Sequence, residues 1–206
     1  VDVLRARFDR VGVLGHSEGG TIALMLAAEQ KVDFVVSLAA MVVSGEQVLM
    51  EQNRYMLQQA GFNPDVVSSY CEALTRLFDD VKNGRSTDVE SLSLPANLKQ
   101  NLRLVVNQMA MPYLRYFLTL DFSGCIDKIT CPVLALNGTK DCQVNCEENL
   151  GALRKGLACQ TELKAIEGVN HLFQHCHTGE TSEYKDIEET FAPEALEAII
   201  DWMKKR

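Results

Sequence analysis

The residues best suited to chemistry form a glycine-rich turn near the start of the chain, Gly15-His16-Ser17-Glu18-Gly19. An apolar run at residues 11–15 precedes this turn, and a stretch rich in helix-forming residues at 21–29 follows it. The pattern G-x-S-x-G between a strand and a helix holds a serine in a sharp, strained turn with its hydroxyl exposed. We expect Gly15 and Gly19 to remove collisions in this turn, and the helix dipole to favour an oxyanion beside Ser17. The turn predicts that Ser17 is a nucleophile.

A serine hydroxyl is a poor nucleophile unless a base takes its proton and a carboxylate orients that base. Asp141 lies just after the apolar run at 132–138, and His171 lies just after a predicted strand at 160–166. Both positions follow strands, so both side chains are candidates for the same sheet edge as Ser17. Other carboxylates compete with Asp141 for the orienting role: Asp121, Glu147 and Glu148.

Two other uses of these residues are less well supported. A phosphate-binding loop would also be glycine-rich, but the turn lacks the Lys-Ser/Thr pair of a P-loop. His171, His175, Cys176 and His177 lie within seven residues, yet no second ligand cluster completes a tetrahedral zinc site. We therefore expect neither a metal nor a cofactor.

Strand and helix patterns alternate along most of the chain. Short apolar runs at 11–15, 34–39, 132–138 and 160–166 predict strands, and residues 21–29, 147–157 and 193–205 predict helices. Such alternation is typical of an α/β fold with a mostly parallel sheet. From about residue 44 to 124 the strand signals vanish, and helices are predicted at three places, 47–60, 64–82 and 98–118. The domain prediction is therefore a core of residues 1–43 and 125–206, with a helical cap insertion at 44–124.

Composition narrows the classes of protein to which the chain can belong. The 206 residues are 47% hydrophobic and 23% charged, which excludes a disordered chain and a fibre. No apolar run approaches the roughly 18 residues of a membrane span. A net charge of −8 argues against nucleic acid and anionic membrane surfaces as partners. Seven scattered cysteines favour free thiols in a reducing, cytoplasmic compartment.

Three stretches of the chain resemble the α/β-hydrolase superfamily, most closely bacterial carboxylesterases of the dienelactone-hydrolase-like and serine-aminopeptidase-like branch. The stretches are residues 10–20 around the serine, 133–144 around Asp141 and 168–174 around His171. Their order, serine then aspartate then histidine, is that of the superfamily. The segment 179–190 resembles the same esterase branch, whereas 44–124 is similar only as a helical cap.

The resemblance implies a role for each residue. Ser17 would be the nucleophile, His171 the general acid and base, and Asp141 the group that fixes the histidine tautomer, while the Glu18 N–H would bind the oxyanion. A second oxyanion donor normally comes from a loop that this sequence does not contain. About eight strands are typical and four are predicted here. We therefore expect either a part of a longer protein or a sheet completed by a second chain, such as a homo-oligomer formed through the uncovered sheet edge.

The predicted function is cleavage of a small-molecule carboxylic ester through an acyl-enzyme. A peptidase or an acyltransferase with the same three residues remains open, because fold and triad do not define the leaving group or the acceptor. A non-catalytic interaction module that retains the serine is a third alternative. If the cap covers the serine, its removal should change substrate preference rather than abolish the chemistry.

Overall fold

The structure is a computed structural model that describes residues 1–206, with the side chain of Ser123 excepted. The chain divides into two compact units. The first comprises Val1–Val43 and Phe122–Arg206, and the second comprises Ser44–Asp121. The roles predicted for these parts of the chain, a hydrolase core and a helical cap insertion, stay predictions.

The first unit is built on a four-stranded parallel sheet. Its strands are β1 (Gly12–His16), β2 (Phe34–Leu38), β3 (Val133–Gly138) and β4 (Thr161–Ile166). They pair in chain order, β1-β2-β3-β4, and all three pairings are parallel. The predicted α/β fold class, with a parallel sheet flanked by helices, is confirmed. All four strands therefore direct their carboxyl ends to one edge of the sheet.

Helices make up the rest of the regular structure. In the part of the chain that the structure describes they are α1 (Asp2–Arg5), α2 (Glu18–Ala28), α3 (Gly45–Gln59), α4 (Pro64–Lys82), α5 (Ala96–Met109), α6 (Pro112–Thr119), α7 (Ser123–Ile126), α8 (Cys146–Gly156) and α9 (Pro193–Met203). None of these helices combines the length and the apolar character needed to cross a membrane. Short 3₁₀ turns occur at Val89–Ser91 and Thr181–Asp186.

Alternate residues of the two central strands point into two separate cores. Val35 of β2 and Ala135 of β3 lie in the core that α2, α7 and α8 cover. Their neighbours Val36 and Leu134 lie in the core on the opposite face, which contains Trp202 of α9. Successive side chains of a strand point to opposite faces, so a strand covered by helices on both sides is apolar at every position. This explains why β2 and β3 are apolar runs apart from Ser37 and the Asn137-Gly138 end of β3.

An apolar run such as that of residues 11–15 is typical of a strand buried on both faces, but β1 is not buried on both faces. Leu14 is 52% exposed, and His16 at the end of β1 is also exposed. The reason is its position at the edge of the sheet, where β1 pairs with β2 alone in the described chain. Self-association through this edge stays a prediction.

The second unit contains α3 to α6 around its own apolar core. Tyr70, Leu74 and Phe78 of α4 are completely buried in it. Asn63 begins α4 by accepting a hydrogen bond from the Asp65 N–H with its side chain. The prediction of one helix over 98–118 is wrong, because α5 ends at Met109 and α6 begins at Pro112. A proline has no N–H to donate inside a helix, but it fits the first helical position.

We expect Leu74→Ala to lower the free energy of unfolding by about 2–5 kcal/mol, because it removes buried methyl groups and leaves a cavity. The matched control is Leu104→Ala in α5, where the side chain is 56% exposed. That change should alter stability by no more than about 0.5 kcal/mol. Urea unfolding followed by far-ultraviolet circular dichroism measures both changes. Equal losses from the two variants would contradict the packing described for α4.

Candidate active site

Ser17 occupies a strained turn between β1 and α2. Its backbone angles are φ 55° and ψ −122°, which is unusual for a residue other than glycine. The turn is held in place because the Ser17 N–H donates to the Leu38 carbonyl at the end of β2, at 2.8 Å. Glu18 is the first residue of α2, so its backbone N–H belongs to the helix turn that has no acceptor within the helix. The turn therefore presents a hydroxyl beside free N–H groups.

A close contact requires glycine at position 15 of this turn, and a tight one favours it at position 20. A Cβ at Gly15 would lie 2.0 Å from the Gly19 carbonyl oxygen, and a Cβ at Gly20 would lie 3.0 Å from the Ala40 Cβ. The expectation that Gly19 also removes a collision is wrong, because a Cβ there would meet no atom of the described chain within 4 Å. Gly19 instead contributes the carbonyl group that excludes a side chain at Gly15.

The structure brings together the three side chains that the sequence predicted for the site. The Ser17 Oγ lies 3.0 Å from the His171 Nε2, and the His171 Nδ1 lies 2.8 Å from the Asp141 Oδ2. A carboxylate oxygen can only accept, so Nδ1 carries the proton and Nε2 is left as an acceptor for the serine O–H. The imidazole can therefore take the proton of Ser17 while its other nitrogen stays bonded to Asp141.

Asp141 is buried and bonded on both carboxylate oxygens. Its side chain has no exposed surface. Oδ1 accepts from the backbone N–H groups of Gln143 and Val144, each at 2.9 Å. Oδ2 accepts from the Asn137 side-chain amide at 3.2 Å as well as from His171. These donors replace the water that burial removes from the carboxylate.

His171 lies in a compact loop that follows β4. The Asn170 Oδ1 accepts from the N–H groups of Leu172 and Gln174, at 2.9 and 3.0 Å. Phe173 is completely buried, and its carbonyl accepts from the Ala192 N–H just before α9. A Cβ at Gly138, the last residue of β3, would lie 2.3 Å from the Val169 carbonyl oxygen. The loop therefore packs directly on the end of the neighbouring strand.

The remaining candidates do not join this group. Glu147 and Glu148 lie in the first turn of α8, and the carboxylate bonded to His171 is that of Asp141. His175 is 50% exposed at its side chain and contacts Glu189 and Glu194. Among the described side chains, no set of three or more histidines, cysteines and carboxylates is arranged to hold a metal.

The thiol of Cys146, five residues after Asp141, is half-buried and has low reactivity. Burial is the main cause that raises the pKa of Cys146 to about 11, with smaller contributions from Asp141 and Glu147. Its Sγ lies 3.8 Å from the Asn137 carbonyl oxygen. A protonated thiol is a weak nucleophile. All seven cysteines are free in the described chain.

Sequence reasoning missed three residues that hold the site in place. Asn137 donates to Asp141, Gly138 permits the close approach of the His171 loop, and Asn170 fixes the backbone of that loop. A signal for the first two was present, since Asn-Gly ends an otherwise apolar strand. A polar side chain at the end of a strand that is buried on both faces needs a hydrogen-bond partner. Asp141, only four residues after Asn137, is a candidate for that partner.

We expect Gly15→Ala to destabilise the protein by about 1–3 kcal/mol or more, because the new Cβ would overlap a backbone carbonyl that has no rotamer to change. Gly19→Ala is the matched control in the same turn. It should change stability by less than about 1 kcal/mol, in the stabilising direction, because alanine is the better helix former. Thermal unfolding of both variants tests this difference, and a more harmful change at Gly19 would contradict the geometry of the turn.

The contacts of His175 predict a pH-dependent contribution to stability. The hydrogen bond to Glu189 is the main cause that raises the pKa of His175, with a smaller contribution from Glu194. The backbone N–H of His175 is the main cause that lowers the pKa of Glu189, with a smaller contribution from the His175 ring. A raised histidine pKa gives stability that is complete below the unfolded value of 6.5 and is lost as the pH rises through the folded pKa. The Glu189 contribution is present above 4.5 and is lost as the pH falls.

His175→Gln should therefore lower the melting temperature most at about pH 5.5, where both groups are charged, and least above the raised pKa of His175. Thermal unfolding of the two proteins across pH 4 to about pH 9 measures this difference. His177→Gln is a suitable control at a neighbouring exposed histidine. A difference between wild type and His175→Gln that does not vary with pH would contradict this account.

Known proteins resemble the chain in fold and, over part of its length, in sequence. A bromoperoxidase from Bacillus anthracis has 15% sequence identity and a TM-score of 0.50, with 98% of this chain aligned to 70% of that one. VinJ has 15% identity and a TM-score of 0.48, over 99% of this chain and 70% of its own. A proline iminopeptidase from Mycobacterium smegmatis has 12% identity and a TM-score of 0.49, over 98% of this chain and 67% of its own. At this identity, the likeness to the bromoperoxidase shows a shared fold alone.

The sequence comparison is more specific. No curated protein matches the chain. The family model described as "BAAT / Acyl-CoA thioester hydrolase C terminal" matches residues 5–110, slightly more than half of the chain. The matched region includes the turn around Ser17, whereas Asp141 and His171 lie beyond it. The superfamily expected from the motifs is confirmed, and the narrower dienelactone-hydrolase-like branch stays a resemblance. The chain therefore belongs to the BAAT / acyl-CoA thioester hydrolase C-terminal family, and its fold is that of the α/β-hydrolases.

Proposed function

We propose that the protein is a serine hydrolase that cleaves carboxylic esters through an acyl-enzyme intermediate. The observation that carries this proposal is the unbroken pair of contacts from Ser17 Oγ to His171 Nε2 and from His171 Nδ1 to Asp141 Oδ2. The strained backbone of Ser17 at the start of α2 supports it, because this geometry exposes the hydroxyl beside free N–H groups.

In the first half of the reaction, the Ser17 Oγ attacks the carbonyl carbon of the ester and its proton passes to the His171 Nε2. The carbonyl oxygen becomes an oxyanion, to which the Glu18 N–H donates. The bond to the leaving alcohol then breaks, and the His171 imidazolium returns its proton to that alcohol. Throughout, Asp141 keeps the proton on Nδ1 and stabilises the charged imidazole.

In the second half, water attacks the acyl-enzyme and His171 accepts a proton from that water. A second oxyanion forms, the bond to the Ser17 Oγ breaks, and His171 returns the proton to the serine. The carboxylic acid product leaves. Each oxyanion donor is worth about 100- to 1000-fold in turnover, so the rate of this chain depends on how many donors meet the oxyanion.

Thioesters form the second candidate class of substrate, favoured by the family to which the chain belongs. A thiol is a more acidic leaving group than an alcohol, with a pKa of about 8.5 for a cysteine-like thiol. It therefore needs less help from the His171 proton when the bond breaks. The same three side chains serve both substrates, so only the leaving group separates an esterase from a thioesterase.

A fluorophosphonate probe and an ester substrate test the proposal together. Wild type should form a covalent adduct at Ser17, and Ser17→Ala and His171→Ala should lose both the adduct and about 10⁴-fold or more of kcat/KM. Asp141→Asn should lose about 10⁴-fold, because an amide at this position favours the wrong histidine tautomer. The exposed Asp127→Asn is the matched control and should keep wild-type activity. A wild-type protein that neither reacts with the probe nor hydrolyses esters would make the non-catalytic interaction module the better account.

Substrates that share one acyl group separate the remaining alternatives. A p-nitrophenyl ester, a coenzyme A thioester and an aminoacyl amide can be compared by kcat/KM on the same protein. A preference for the thioester supports the second candidate, and a preference for the amide supports a peptidase. Transfer of the acyl group to an added amine or alcohol, in place of water, would indicate an acyltransferase.

A further inference from the structure

His16, the residue directly before the nucleophile, contacts both the backbone and the ring of His171. Its Nε2 lies 2.8 Å from the His171 carbonyl oxygen, across 155 positions of sequence. The two imidazole rings have centroids 4.8 Å apart with an interplanar angle of 49°. The last residue of β1 is therefore bonded to the residue that receives the serine proton.

The direction of this hydrogen bond follows from the chemistry of the acceptor. A carbonyl oxygen can only accept, so the His16 Nε2 must carry a proton and donate it. We propose that His16 is a positioning residue for the reaction proposed above: its Nε2–H holds the His171 main chain at the distance where the His171 ring meets Ser17. The proposal rests on the proposed function, since it concerns the same nucleophile and base.

The need for such a contact follows from how the His171 loop is fixed. Asn170 bonds within the loop, and the Phe173 carbonyl bonds to Ala192, which leads into α9. Asp141 holds one side of the imidazole ring from the β3 side. The bond from His16 adds a link from the base to the strand that carries the nucleophile. It thus acts directly on the separation between Ser17 and His171, on which proton transfer depends.

The His16 ring is itself supported by a buried aromatic side chain. Phe173 meets it edge-on, with ring centroids 6.3 Å apart and an interplanar angle of 70°. Phe173 has no exposed surface, and it stacks on Phe191 at 5.3 Å. A ring that rests on a packed pair of aromatic rings loses little additional freedom when it donates, so the bond can hold one geometry.

Three substitutions separate the hydrogen bond from the mere presence of a side chain. His16→Gln places an amide N–H close to the position of the imidazole Nε2, whereas His16→Asn carries the same amide one bond short of it. His16→Ala removes the donor. We expect His16→Gln to keep kcat within about 3-fold of wild type, and the other two variants to lose about 10- to 100-fold of kcat with little change in KM.

A second readout does not depend on catalysis. The ring resonances of His171 in ¹⁵N-labelled protein should be sharp in wild type and in His16→Gln, and broadened or shifted in His16→Asn and His16→Ala. Equal kcat values and equal His171 spectra for the Gln and Asn variants would overturn the positioning role. If wild type shows no probe adduct and no hydrolysis, the proposed function is wrong, while the His171 spectra still decide whether His16 positions that residue.

Discussion

The carboxylate of Asp141 is buried, and the arrangement of the site follows from its need for hydrogen-bond donors. Burial of an ionised carboxylate costs several kcal/mol unless hydrogen bonds replace its hydration. The turn after β3 supplies the N–H groups of Gln143 and Val144, and Asn137 supplies its amide. The remaining donor is the His171 imidazole, which is therefore fixed in orientation and in tautomer. The nitrogen left without a proton is the one that faces Ser17.

The parallel sheet brings the three side chains of the site close together. Ser17, Asp141 and His171 follow β1, β3 and β4, whose carboxyl ends lie along one edge. Two close approaches between backbone segments complete the geometry. Gly15 lets the serine turn fold back on the start of α2, and Gly138 lets the His171 loop rest on the end of β3. In an enzyme, a displacement of about 1 Å between catalytic groups can cost about 100-fold in rate, so the proposed function depends on these contacts.

Much of the site could be predicted from sequence because its three side chains lie just after the ends of strands. A serine, an aspartate and a histidine each follow an apolar run, and parallel strands bring such positions together. Helix α4 was predicted with the bounds that the structure gives, Pro64–Lys82, since its asparagine and proline mark the beginning. Pro112 carries the same information, yet the amphipathic pattern on either side of it suggested one helix where the chain forms two.

Other features could not be predicted because they depend on packing. The exposure of Leu14 depends on which strand pairs with β1, and the space beside Gly19 depends on how the turn packs. The bond from His16 to the His171 carbonyl links residues whose spacing in sequence carries no signal. Local sequence patterns predict whether a segment forms a helix or a strand. Side-chain exposure, free space and contacts between segments arise only once these elements have packed.

The tautomer of His171 at neutral pH tests the central claim most directly. In ¹⁵N-labelled protein, the signals that disappear in a His171→Gln variant identify this residue among the four histidines. The account predicts a proton on Nδ1, bonded to Asp141, and an unprotonated Nε2. A wild-type His171 with the proton on Nε2, or one whose Nδ1 signal is unchanged in Asp141→Asn, would contradict it.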